Sequence, residues 1–240
     1  MEEFFHFACK NGNIEEVRKL LLNPQIDPNW QDESFGRTPF LIACQKGQTG
    51  VVELLLNDLR VHINKPDLAG YPPFLIACQE GFLEIVKLLL NDHRVDVNKE
   101  ANNYSTTPLY IACQNGHIKI VELLLKDIRV DVNKARNSGE TPLFIACYQG
   151  HIEIVEILLN DKRVDINQAN KTGTAPFYIA CYRGYTEIVK LFLESERGLD
   201  INVKDIQGKT AVDIAREGGN IDIIESINLF QKRALGISGK

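Results

Sequence analysis

The chain has 240 residues, 44% of them hydrophobic and 25% charged, a composition that supports a packed core and argues against disorder. Its formal net charge of -5 provides no global positive field for phosphate backbones, so no nucleic-acid partner is expected. No apolar run approaches the roughly 18 residues of a membrane-spanning helix. The start, Met1-Glu2-Glu3-Phe4-Phe5-His6, lacks the basic region of a signal peptide, so a cytoplasmic (or nuclear) protein without membrane contact is expected.

Cysteines at 9, 44, 78, 113, 147 and 181 recur every 34 or 35 residues. Pro39, Pro73, Pro108, Pro142 and Pro176 keep the same beat, as do Gly12, Gly47, Gly81, Gly116, Gly150, Gly184 and Gly219. Asn29, Asn64, Asn98, Asn133, Asn167 and Asn202 add a third register, after the prolines and the glycines, to the period of the cysteines. Three registers sharing one period of this length mark a repeat array. In chain order the repeats run over about 1–36, 37–70, 71–105, 106–139, 140–173, 174–208 and 209–240.

The first repeat has Glu3-Phe4 where later ones have Thr-Pro, and it reads as a cap. Its Glu2, Glu3, Glu15, Glu16, Asp27, Asp32 and Glu33 form either a solvated cap surface or an attraction for a basic partner segment. The fourth repeat shows the internal pattern. Thr107 is a helix N-cap with Pro108 at the first helical position, and the helix they start runs to about Asn115. Gly116 suits the left-handed residue beyond the helix end. A second helix follows over His117 to Lys126, its apolar stripe made of Ile118, Val121, Leu124 and Leu125. Asp127 to Gly139 returns the chain as a projecting hairpin or loop that turns at Asn137-Ser138-Gly139. A helix pair this short cannot bury its own stripe, so the repeats must stack on one another in an elongated array. The last repeat places polar Asp213 and Arg216 at positions that are apolar elsewhere, a second cap, and the array reads as complete. The tail from about 231 is expected to fray.

The segments Thr38-Pro39-Phe40-Leu41-Ile42-Ala43, Thr107-Pro108-Leu109-Tyr110-Ile111-Ala112, Thr141-Pro142-Leu143-Phe144-Ile145-Ala146 and Ala175-Pro176-Phe177-Tyr178-Ile179-Ala180 resemble the signature of ankyrin repeats. Gly150 to Leu159 resembles that family's second helix, and Val130-Asp131-Val132-Asn133 its following loop. The resemblance covers essentially the whole chain in seven repeats and implies an all-α solenoid of stacked antiparallel helix pairs with hairpin loops. Two features depart from the pattern. The period exceeds the usual one because the loop Asn160-Asp161-Lys162-Arg163-Val164 carries an extra residue. The signature histidine survives only as His6, its place being taken by Leu41, Leu75, Tyr110, Phe144, Tyr178 and Asp213.

Chemistry-bearing patterns are sparse. Each cysteine follows the alanine of a first helix, where a small, mildly apolar side chain fits, so buried thiols outside any disulfide are expected. Thiols about 35 residues apart lack zinc-site spacing. With neither a catalytic constellation nor a phosphate loop, the chain reads as a non-enzymatic protein that uses no cofactor and no metal.

The resemblance implies a monomeric protein-interaction module, or scaffold, that binds a protein or peptide on a concave face and on hairpin tips. Its candidate contacts here are Phe35, Arg37, Tyr71, Tyr104, Gln114, Asn115, Tyr148, Gln149, Tyr182 and Arg183. Aromatic and arginine side chains supply most interface hot spots, and the two tips that are one residue longer, from Asn29 and from Asn98, carry Phe35 and Tyr104. Tyr110, Phe144 and Tyr178 are expected to be frame residues, and His117 and His151 structural ones. The alternatives are a spacer within a larger polypeptide and an assembly chaperone of the gankyrin type, which the chain resembles in size and repeat count. The resemblance also implies hydroxylation of Asn98 and Asn133 as a modification.

Overall fold

Seven pairs of short helices follow one another in the computed structural model, which describes residues 1–101 and 104–234. The chain divides into two compact units, Met1–Asp131 and Val132–Lys240. The first holds α1 (Glu2–Asn11), α2 (Ile14–Leu21), α3 (Pro39–Gln45), α4 (Thr49–Leu56), α5 (Pro73–Glu80), α6 (Leu83–Leu90), α7 (Pro108–Gln114) and α8 (Ile118–Lys126). The second holds α9 (Pro142–Gln149), α10 (Ile152–Asn160), α11 (Pro176–Arg183), α12 (Thr186–Glu194), α13 (Ala211–Glu217) and α14 (Ile221–Ala234). Among the described residues there is no strand, only an isolated antiparallel bridge between Ala101 and Thr106. Gln231 to Ala234 continue α14, and 235–240 lie outside the described residues.

The helix starts follow from cap chemistry. Thr38, Thr107 and Thr141 accept hydrogen bonds from the backbone N–H groups of Leu41, Tyr110 and Phe144, each at 3.1 Å, with proline next in line. Thr210 goes further: it accepts from Asp213 N at 3.3 Å, and the Asp213 carboxylate accepts from Thr210 N at 3.0 Å, a capping box. Asp213 is thus a helix-start residue as well as a polar one. Pro72 and Ala175 hold the same position without a side-chain cap.

Within each unit, first helices pack on first helices and second on second: α1 on α3, α3 on α5 and α5 on α7, then α9 on α11 and α11 on α13. The first helices are buried nearly throughout, Phe40, Leu41, Ala43 and Cys44 at 0% exposure and Tyr110 at 1%. All six cysteines are buried, and none is half of a disulfide. Burial pushes the Cys181 thiol up to about 12 and raises those of Cys9, Cys44, Cys78 and Cys113, so they stay protonated and behave as small apolar side chains. Phe144 and Tyr178 are buried frame residues, and the Tyr178 hydroxyl donates to Asp205 Oδ2 at 2.6 Å. The first repeat is less uniformly polar than a cap would suggest. Phe4 is 53% and Phe7 56% exposed, where Pro39 and Ile42 of the second repeat are buried.

Three polar devices join successive repeats. The periodic asparagine is the first: Asn64 Nδ2 donates to Arg94 O at 2.7 Å while its Oδ1 accepts from Asp96 N at 3.0 Å, so one amide satisfies two backbone groups of the next repeat. Asn29, Asn98, Asn133 and Asn167 do the same at the equivalent places.

An Asp-X-Arg step in the lengthened loop is the second. Arg94 binds Asp92 through both Nε and Nη2, and its Nη2 donates to Leu56 O at 2.7 Å, at the end of the preceding repeat's second helix. Arg60 reaches Leu21 O and Arg129 reaches Leu90 O in the same way. The extra loop residue thus belongs to a loop whose arginine satisfies a helix-end carbonyl that would otherwise be orphaned. The arginine hydrogen bonds hold Asp58, Asp92, Asp127 and Asp161 below the usual carboxylate range.

The residue after the periodic glycine supplies the third at Gln48, His117 and Asn220, each bonded to a backbone carbonyl of the preceding repeat. His117, the N-cap residue of α8, accepts no cap bond; its Nε2 lies 2.9 Å from Gln79 O, and its ring covers Gly81. A Cβ on Gly81 would come within 2.8 Å of the imidazole, and φ there is 80°, so only glycine fits on both counts.

Candidate functional site

The candidate contact residues fall on two kinds of place, loop tips and the ends of first helices. The tips that open on Asp32, Asp67, Asn170 and Asp205 are each closed by that side chain. Asp32 accepts from Phe35 N at 2.7 Å and Arg37 N at 3.0 Å, and the two N–H bonds lower its carboxyl despite the opposing effect of burial. Asn170 closes the tip at Thr172 and Thr174, and Asp205 the tip at Gln207 and Lys209. Neighbouring tips also bond through their backbones: Leu68 N donates to Phe35 O at 2.9 Å, Lys171 N to Ser138 O at 3.0 Å and Ile206 N to Thr172 O at 3.0 Å. The tip side chains therefore project from a fixed edge. In the longer tip after Asn98, residues 102 and 103 lie outside the described residues; beyond them Ser105 adopts φ 54°, where the other tips have glycine.

Phe35 is 57% and Tyr104 62% exposed, while Tyr71 is half-buried. Arg37 is engaged within its own loop. It lies 4.1 Å over the Phe35 ring, donates from Nε to Asp32 at 3.3 Å and from Nη1 to Gln45 Oε1 at 3.1 Å. The structure thus brings Phe35 and Arg37 together as one stacked pair. Gln114 is half-buried; Asn115 is exposed and donates to Gln79 O at 2.9 Å.

In the second unit, Tyr148, Gln149, Tyr182 and Arg183 are exposed at the ends of α9 and α11. The Arg183 guanidinium lies 4.7 Å from the Tyr148 ring centroid and 5.8 Å from that of Tyr185, and its Nη2 donates to the Tyr185 hydroxyl at 3.4 Å. Among the described residues no group of three His, Cys, Asp or Glu is placed to hold a metal ion, and no helix is long and apolar enough to cross a membrane.

Family models describe what these repeats are. A model of ankyrin repeats in three copies matches residues 5–101 and again 74–170, and a second, of ankyrin repeats in many copies, matches residues 164–215. The chain belongs to the ankyrin repeat family. It is also similar to the crystal structure of the ankyrin repeat protein EF0377, at 32% identity and a TM-score of 0.73, over 79% of this chain and 96% of that one. No curated protein matches the sequence. Ankyrin repeats are generally protein–protein interaction modules, and the family is typically non-enzymatic.

Against that family frame, Tyr185 is the residue that sequence reasoning missed. It occupies the same place after a periodic glycine as His117, and its ring covers Gly150, where a Cβ would come within 2.9 Å of Cζ. The signal was present in the register, where Gln48, Phe82, His117, His151, Tyr185 and Asn220 share one position. Its meaning depends on a contact with the preceding ankyrin repeat, 35 residues earlier in the chain.

Proposed function

We propose that the protein binds a protein or peptide partner through its exposed first-helix ends and loop tips, without catalysing a reaction. One observation carries the reading. The positions that hold the frame together repeat almost unchanged, while the ends of the first helices change from Gln45-Lys46, Gln79-Glu80 and Gln114-Asn115 to Tyr148-Gln149 and Tyr182-Arg183 and are turned to solvent in whole or in part. An exposed aromatic that stabilises no core costs solubility, and its place on a rigid element suits it to anchor a partner. Backbone bonds between tips and the stacking of Arg37 on Phe35 and of Arg183 on Tyr148 reduce the side-chain and loop ordering that association would otherwise require.

The experiment is capture of partners by the intact chain, followed by a comparison of the captured partner's affinity for a variant carrying Tyr104→Ala, Tyr148→Ala, Tyr182→Ala and Arg183→Ala. The expected result is a loss of about a hundredfold or more, since central aromatic and arginine anchors each contribute about 2 kcal/mol or more. Unchanged affinity would remove these residues from the interface.

A further inference from the structure

The end of α11 carries a positive charge that the fold has positioned without neutralising it. Arg183 lies over Tyr148 and bonds the Tyr185 hydroxyl, and Tyr185 is itself fixed by its seat on Gly150. No carboxylate pairs with Arg183 among the described residues. Other arginines of the second unit are committed. Arg163 is bound to Asp161 through Nε and Nη2, and Arg197 donates to the carbonyls of Leu159, Asp161, Lys162 and Val164. Arg183 uses one of its N–H donors on a hydroxyl, and the remaining edge of the planar fork can accept a carboxylate in two parallel hydrogen bonds.

The surroundings select the same chemistry. Residues 132–240 contain fourteen Lys and Arg against fourteen Asp and Glu, so an acidic segment meets no net repulsion from this unit. The whole net charge of -5 belongs to residues 1–131, with thirteen against eighteen. Arg216 stands near the end of α13, in the position Cys181 holds on α11, and its nearest carboxylate is Asp213 at 3.5 Å, while Glu217, in the position of Tyr182, is paired with Lys209 at 2.7 Å. Tyr148 and Tyr182 add apolar ring surface beside the charge.

We propose that the ends of α9 and α11 take an acidic peptide segment, a carboxylate docking on the Arg183 guanidinium while neighbouring side-chain carbon of the segment packs on Tyr148 and Tyr182. The proposal rests on the reading of this face as a partner surface and adds the class of partner. Selection of a displayed dodecapeptide library on the intact chain tests it, with enriched peptides resynthesised and their binding followed by fluorescence anisotropy. The expected outcome is enrichment in Asp and Glu, affinity that falls as salt rises, and a loss of about tenfold or more in Arg183→Leu. Arg183→Lys keeps the charge without the fork and is expected to bind more weakly than the parent but more tightly than Arg183→Leu. Enriched peptides without acidic bias that bind Arg183→Leu normally, and fail only on the Tyr148→Ala and Tyr182→Ala double variant, would overturn the acidic class while leaving the binding face in place. Absence of enrichment on the parent chain, or binding that survives all of these substitutions, would overturn both. Arg183 is exposed and joins no core, so an unchanged thermal midpoint is expected in Arg183→Leu and Arg183→Lys.

Discussion

In residues 1–131 the loop tips carry Phe35, Leu68 and Tyr104 and the cysteines of α3, α5 and α7 are followed by Gln45, Gln79 and Gln114, whereas in residues 132–240 the tips are mostly polar and the cysteines of α9 and α11 are followed by Tyr148 and Tyr182. Beneath these surfaces the parts are the same: Thr caps, asparagine amides bridging to the next repeat, and buried thiols in one position. The comparison separates two kinds of residue by their partners. Side chains bonded to the neighbouring repeat recur, because each copy must offer its neighbour the same groups; those facing water are released from that constraint and differ between the units.

If the frame is shared, equal cuts must cost equal amounts. Phe40→Ala in the first unit and Phe177→Ala in the second each remove a buried ring, that of Phe177 lying edge-on to Phe192 at 5.7 Å, and each is expected to cost about 3–5 kcal/mol. Urea unfolding of the two variants checks this, and a difference of more than about 2 kcal/mol would break the equivalence. Asn64→Ala and Asn167→Ala each delete two bonds to the next repeat, at 2.7 and 3.0 Å and at 3.0 and 2.9 Å, for an expected loss of about 1–2 kcal/mol each. Hydrogen exchange read by segment should show the loosening concentrated in the repeat on either side of the deleted amide.

Acid should separate the units by a smaller amount. The Asp-X-Arg pairs at Asp58, Asp92 and Asp127 lie in the first unit and that at Asp161 in the second, and the arginine hydrogen bonds lower all four carboxyl groups. A folded-state value below the unfolded one stabilises the fold above the ordinary carboxylate range, near pH 4, and the contribution disappears as pH falls through the lowered value. Exchange protection in residues 1–131 is therefore expected to fall further on acidification than in 132–240; equal losses would argue against the pairs as its source. The smallest effects belong at the tips, where Leu68→Ser and Ile206→Ser, both exposed, should each change stability by no more than about 0.5 kcal/mol in a thermal melt.

Much of this frame could be read before any coordinates. The period, the Thr-Pro helix starts and the left-handed glycine at 116 are local chemistry repeated, and α7 and α8 end within a residue of where Pro108, Gly116 and Lys126 place them. The extra loop residue was visible, but its purpose was not, because Arg94 acts on a carbonyl 38 residues away. Likewise Arg183 was legible as an exposed arginine, while its clamp depends on Tyr185, whose position is set by Gly150 rather than by anything adjacent to it. The exposure of Phe4 and Phe7 was also hidden, since the same positions in the second repeat are buried and the difference lies in what packs against them and not in the residues themselves.

The asparagine bridges carry a consequence for how such a chain can change length. Each spans nearly the same separation, from 30 to 33 residues, and always joins a side chain of one copy to the backbone of the following one. A recombination event that removes or duplicates one full period anywhere inside the array therefore presents every remaining amide with an equivalent acceptor and donor. Length becomes a variable that inheritance can alter in whole steps, whereas a slip of even a few residues would leave amides and backbone groups mismatched at the junction.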